Sequence, residues 1–174
     1  MRSLLLPALL LFPAAPVQAS ELFGGLLAHD VDTPLTKGGR ESGVDVQLGW
    51  RGDPIPALDL IGRPAPYAFA SIASEGDTHM AAIGLSWRIG GRLYARPGLG
   101  LAFHTRSSRG VDPSGTRADL GSRLLFQPEL GLGYRINARI AVEATWVHVS
   151  HAQLLSRQNP GMDSIGARLT YRLR

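Results

Sequence analysis

Residues 93–104 read Leu93-Tyr94-Ala95-Arg96-Pro97-Gly98-Leu99-Gly100-Leu101-Ala102-Phe103-His104. The odd positions are all apolar, and the even positions carry Tyr94, Arg96, three small residues and His104. A period of two sends the two sets to opposite faces of a strand. The pattern recurs along the chain. Val44, Val46, Leu48 and Trp50 oppose Asp45, Gln47 and Gly49. Ala81, Ile83, Leu85, Trp87 and Ile89 oppose Met80, Ala82, Gly84, Ser86 and Arg88. Phe126, Pro128, Leu130, Leu132 and Tyr134 oppose Gln127, Glu129, Gly131, Gly133 and Arg135. Near the C-terminus Ile165, Ala167, Leu169, Tyr171 and Leu173 oppose Ser164, Gly166, Arg168, Thr170 and Arg172.

A soluble sandwich also alternates, but its outer face is rich in Lys and Glu. Here the second face carries Gly, Ser and Arg, with Asp45, Glu129 and Glu143 expected to pair with Arg88, Arg96, Arg135, Arg168 and Arg172. Small and ion-paired residues suit the lumen of a narrow barrel, while apolar faces ending in Trp50, Trp87, Tyr134 and Tyr171 suit a lipid-facing band with interfacial aromatics. Eight strands are expected, near 22–29, 43–51, 65–74, 79–89, 92–104, 123–135, 139–150 and 163–173. Each is close to the roughly 9–11 residues that cross a bilayer. The first and third alternate poorly. The fold class is all-β, an eight-stranded antiparallel transmembrane β-barrel of the bacterial outer membrane, occupying residues 20–174.

Composition agrees. Charged residues make up 18% of the 174 residues, against roughly 25% in soluble domains, and Gly 21 is well above an average near 7%. Cysteine is absent, which excludes disulfides, thiolate metal sites and a cysteine nucleophile. The formal charge is +4, and Lys37 is the one lysine among 18 cations. The arginines follow strand parity and form no basic surface cluster, so nucleic acid is excluded as a partner. Met1-Arg2, the apolar stretch from Leu4 to Leu11 and Val17-Gln18-Ala19 form a secretory signal peptide cut after Ala19. Segments 30–42, 105–122 and 151–162 are long and polar, whereas 90–91 and 136–138 are short. Barrels of this class place long loops outside and tight turns in the periplasm. Segment 52–64, with three prolines, is a long exception on the periplasmic side.

The chemistry sits in the last hairpin. Strand seven shows Ile140, Val142, Ala144, Trp146, His148 and Ser150 on one face. His148 and Ser150 therefore stand about 7 Å apart on the lipid-facing side, at the extracellular end. Asp163 shares the parity of Ile165 and Ala167 and faces the same way on the adjacent strand. A hydroxyl to attack, an imidazole to take its proton and a carboxylate to hold the imidazole are the needs of a Ser-His-acid hydrolase. Polar residues on a lipid face cost free energy and mark functional candidates. Strand ends in the head-group region also carry His, Ser and Asp for ordinary reasons, and the sequence lacks the strained turn of a hydrolase elbow.

These residues carry a resemblance. His148-Val149-Ser150-His151-Ala152, followed by Asn159-Pro160-Gly161-Met162-Asp163 and Ile165-Gly166, resembles the C-terminal signature of the lipid A 3-O-deacylase (PagL) family. Gly24 to Asp30 and Gly98 to His104 resemble that family's first and fifth strands, and Leu120 to Phe126 the entry to its sixth. The resemblance implies an outer-membrane esterase with Ser150 as nucleophile, His148 as general base and Asp163 as the residue orienting the imidazole. Asp163 stands where the family often has Glu, and His151 where it usually has Asn, so His151 takes the role of oxyanion donor. The implied reaction is ester hydrolysis without metal or cofactor, on lipid A or lipopolysaccharide among outer-membrane lipids, by a monomer or homodimer. Arg157 with Arg106 or Arg109 would meet the head-group phosphates, or serve only as solvated loop cations.

Other residues lead elsewhere. His29, His79 and His104 share no strand face, which argues against a metal site. His104 is luminal by parity. Asp112 to Asp119 reads as a solvated turn. The competing reading of the whole chain is a catalytically silent small barrel with a structural, adhesive or lipid-binding role.

Overall fold

The computed structural model describes residues 20–36, 41–75, 78–105, 120–151 and 161–173. The signal peptide expected at 1–19, the loop arginines Arg106, Arg109 and Arg157, and the 112–119 turn lie outside the described residues. The strands are β1 (Glu21–Ala28), β2 (Val44–Arg51), β3 (Ala65–Ala73), β4 (Met80–Ser86), β5 (Leu93–His104), β6 (Leu124–Arg135), β7 (Ile140–Val149) and β8 (Met162–Arg172). After a break at Trp87 and Arg88, β4 resumes for two residues, Ile89–Gly90. Apart from that break, every strand boundary falls within a residue of its expected position.

Each strand runs antiparallel to its chain neighbour, and β1 pairs with β8 from Glu21↔Arg172 to Ala28↔Ile165. The sheet is closed, so no strand edge presents unpaired amides to hydrocarbon. Leu26, Leu48, Ile83, Leu99 and Leu132 are exposed on the outer wall, while Asp45, Gln47, Glu129 and Glu143 are buried inside. β1, β5 and β7 end, and their long connections leave, at one end of the barrel. At the other lie the tight turns, the start of β1, the end of β8 and a 3-10 turn over Pro56–Ile61, which breaks up the long 52–64 connection.

The lumen explains why β1 and β3 alternate poorly. Phe23 and Leu27 of β1 and Tyr67 and Phe69 of β3 point inward and form an apolar layer. Phe23 meets Phe69 edge-on at 6.3 Å. The Arg168 guanidinium lies 4.8 Å from the Phe23 ring centre and 5.2 Å from that of Phe69, and Arg51 covers Phe23 at 4.8 Å. Both faces of these strands are therefore apolar, which erases the period of two.

Ion pairs fill the rest. Glu143 accepts from Arg96 Nε at 2.9 Å and from the Tyr94 hydroxyl at 2.7 Å, and Glu129 accepts from Arg168 at 3.0 Å. Glu21, which parity did not single out, draws Arg51 and Arg96 at 3.2 Å each and Arg172 at 3.8 Å. Arg88 stacks on the Tyr94 ring at 3.8 Å rather than meeting a carboxylate.

Asp45 pairs with a histidine, not an arginine. His29, just past the end of β1, turns into the loop end of the lumen between Asp45 Oδ1 at 2.9 Å and Glu41 Oε2 at 3.0 Å. Ser164 donates to the other Asp45 oxygen at 2.7 Å, and Thr78 donates twice to Glu41. Burial pushes the His29 pKa down, but the hydrogen bonds and charges of Asp45 and Glu41 outweigh it and raise the pKa to about 10. A pKa raised on folding stabilises in full below the ordinary value of 6.5 and is lost as pH climbs through about 10. Urea unfolding of the wild type and His29→Gln should therefore differ by a few kcal/mol in mildly acid buffer, and the gap should close above about pH 10.

Candidate active site

The outer face of β7 carries exposed Val142 and Ala144, then half-buried Trp146 and His148, with half-buried Ser150 just past the strand end. Val147 and Val149 are buried on the opposite face. Ser150 pairs with Phe126 of β6 through both backbone hydrogen bonds, Phe126 N–H to Ser150 O at 2.7 Å and the reverse at 3.0 Å. The end of the strand is thus fixed by the neighbouring strand.

His148 and Asp163 are direct partners in the β7–β8 register. Opposed residues on one face bring their Cβ atoms to roughly 5 Å, so the short aspartate reaches the ring: His148 Nδ1 lies 2.9 Å from Asp163 Oδ1. A second donor, Trp146 Nε1, meets the same oxygen at 2.8 Å. The indole also stacks on the imidazole, with ring centres 5.9 Å apart and 26° between planes. On the other carboxylate oxygen, Thr36 Oγ1 donates at 2.7 Å and Thr33 Oγ1 donates a second bond. Val31 N–H donates to the Asp163 carbonyl at 2.7 Å. Asp163 is fully buried beneath these partners.

The consequences are chemical. An ionised carboxylate only accepts, so its bond to Nδ1 puts the ring proton there and leaves the Nε2 lone pair as the basic site. Among the hydrogen bonds of the described residues, none joins Ser150 Oγ to His148; the two stand one strand repeat apart, about 7 Å. His151 is fully buried and follows Ser150 directly. The other histidines stand elsewhere. His29 is luminal, His79 Nδ1 accepts from Ala73 N–H at 3.1 Å, and buried His104 meets the Ser122 carbonyl at 2.6 Å.

Sequence reasoning had no means of finding Thr33 and Thr36, which lie in the first loop, far from Asp163 in sequence. Gly161 carried a signal as part of the Asn159-Pro160-Gly161-Met162-Asp163 stretch that resembles the family's signature. Its φ is +67°, and a Cβ there would stand 2.8 Å from Thr36 Cγ2 and 3.0 Å from His148 Cε1. Only hydrogen fits between the loop and the imidazole edge.

A family model described as lipid A 3-O-deacylase (PagL) matches residues 64–172, well over half the chain. No curated protein matches. Among solved structures, the chain is similar to that of the outer membrane enzyme PagL, with 20% identity, 87% of this chain and 98% of that one covered, and a TM-score of 0.63. It is also similar to the Yersinia pestis outer membrane protein Ail in a phospholipid bilayer nanodisc, with 13% identity, 89% and 99% covered, and a TM-score of 0.49. The first likeness is one of fold, a closed antiparallel outer-membrane barrel.

Gly161→Ala puts an L side chain into the left-handed region, at about 1–2 kcal/mol, and crowds His148. Proton NMR should show the downfield His148 Nδ1–H resonance displaced or lost while the barrel remains folded.

Proposed function

From the premise that the chain belongs to the lipid A 3-O-deacylase family, we propose that it carries out this hydrolysis with Ser150 as nucleophile, His148 as general base and Asp163 as the orienting acid, on the lipid-facing wall of the barrel. The observation that carries the reading is the cross-strand pair of half-buried His148 and buried Asp163 at 2.9 Å, one strand repeat from a serine on the same face. The exposed apolar residues of that face, Val142 and Ile165 among them, support contact with acyl chains rather than water.

Ser150 Oγ attacks the ester carbonyl carbon at position 3 of the glucosamine unit, and His148 Nε2 takes its proton. The tetrahedral oxyanion collapses, the sugar hydroxyl leaves with the proton from His148, and the acyl group stays on Ser150. Water then attacks with His148 again as base and releases the 3-hydroxy acid. Hydrogen bonds between base and nucleophile are commonly long before substrate binds, so the separation of Ser150 and His148 is compatible with this cycle. His151, next to the nucleophile, is assigned as oxyanion donor, and residues 1–19 as the cleaved export signal. The protein acts as a monomer or homodimer.

Mass spectrometry of lipid A tests the nucleophile. Cells making the wild-type chain should lose one 3-hydroxyacyl chain, and cells making equally folded Ser150→Ala should not. Loss of that chain in both would remove Ser150 from its role. His151→Ala should lower kcat by about 10²–10³, the usual effect of removing one oxyanion donor.

A further inference from the structure

The first loop crosses from the lumen to the outer wall, straddling the end of β8. Inside, His29 is held by Asp45, and Asp45 in turn takes the hydroxyl of Ser164, the residue next to Asp163. Outside, Val31 N–H is bonded to the Asp163 carbonyl. Beyond these anchors the chain makes the turn Thr33-Pro34-Leu35-Thr36, closed by Thr33 N–H to Thr36 O at 3.2 Å and Thr36 N–H to Thr33 O at 3.3 Å. That closure brings both threonine hydroxyls to one side, over Asp163.

The hydrogen-bond directions follow. Leu35 N–H donates to Thr33 Oγ1 at 3.1 Å, which occupies a lone pair and leaves the hydroxyl proton for Asp163 Oδ2. Thr36 Oγ1 donates to the same oxygen. Because Asp163 Oδ1 already takes His148 and Trp146, each oxygen has two donors and the carboxylate plane has one satisfied orientation. A terminal carboxyl torsion is otherwise broad and roughly two-fold. Fixing it fixes the direction in which His148 is held.

We propose that Thr33 and Thr36 are positioning residues of the active site: the first-loop turn clamps the Asp163 carboxylate so that the imidazole is held in the orientation and tautomer that serve Ser150. This rests on the catalytic reading of His148, Ser150 and Asp163. Neither threonine touches the reacting atoms.

The test is a hydrolysis assay on purified lipid A in detergent micelles, with the released 3-hydroxy acid quantified and rates normalised to folded barrel. The double variant Thr33→Val, Thr36→Val keeps the β-branched shape and removes both hydroxyls. Its kcat should fall by about 10²-fold, the scale of a small misplacement of a catalytic group, with KM little changed. Thr33→Ser, Thr36→Ser should restore most of the rate, and the His148 Nδ1–H resonance should be displaced in the valine variant only. A double valine variant with wild-type kcat overturns the clamp. So does a serine variant as slow as the valine one, since shape alone would then matter. Should the double valine variant not fold, the single valine variants decide on the same two readouts. Ser150→Ala in the same assay separates the two ideas: an active Ser150→Ala defeats the catalytic reading itself, whereas an inactive one beside fast valine variants defeats the clamp alone.

Discussion

Closure of the sheet by β1 against β8 is the constraint on which everything else depends. With every strand paired on both sides, the backbone is satisfied without water, and each residue must face either lipid or lumen. Register then decides which residues meet. His148 opposes Asp163 and Val147 opposes Ser164. A slip of one residue between β7 and β8 would send Asp163 inside and leave His148 on the outer wall opposite the wrong neighbour. The cluster is therefore as secure as the hairpin that carries it.

That dependence explains how much was legible in the sequence. Period-two runs bounded by polar or tight connections fix the strand boundaries, because lipid and lumen accept different side chains. Parity alone puts His148, Ser150 and Asp163 on one face. The luminal contents were harder to read. Phe23, Leu27, Tyr67 and Phe69 sit where small or charged residues are expected, since a narrow interior also accommodates an aromatic layer capped by Arg51 and Arg168. Glu21 stands at the first position of β1, where no alternation had yet been established. Thr33 and Thr36 reach Asp163 only because the loop folds back over β8, and no local pattern encodes that return.

The aspartate itself shows geometry compensating for length. A carboxylate one methylene shorter than glutamate has less reach, yet the cross-strand position brings it into contact with the imidazole. Burying a charge away from water is costly unless its lone pairs are occupied. Trp146, Thr33 and Thr36, together with His148, supply that occupancy from one strand and a loop. The loop is thus held to the wall by the same bonds that make the buried charge tolerable.

The paired interior has a consequence for the barrel as a whole rather than for the site. Arg51, Arg96, Arg168, Glu129 and Glu143 are all buried and joined in ion pairs, with the aromatic layer packed among them. Among the described residues, an ion entering this stretch of the lumen would have to break a buried ion pair, so the interior props the wall from within rather than serving as a conduit.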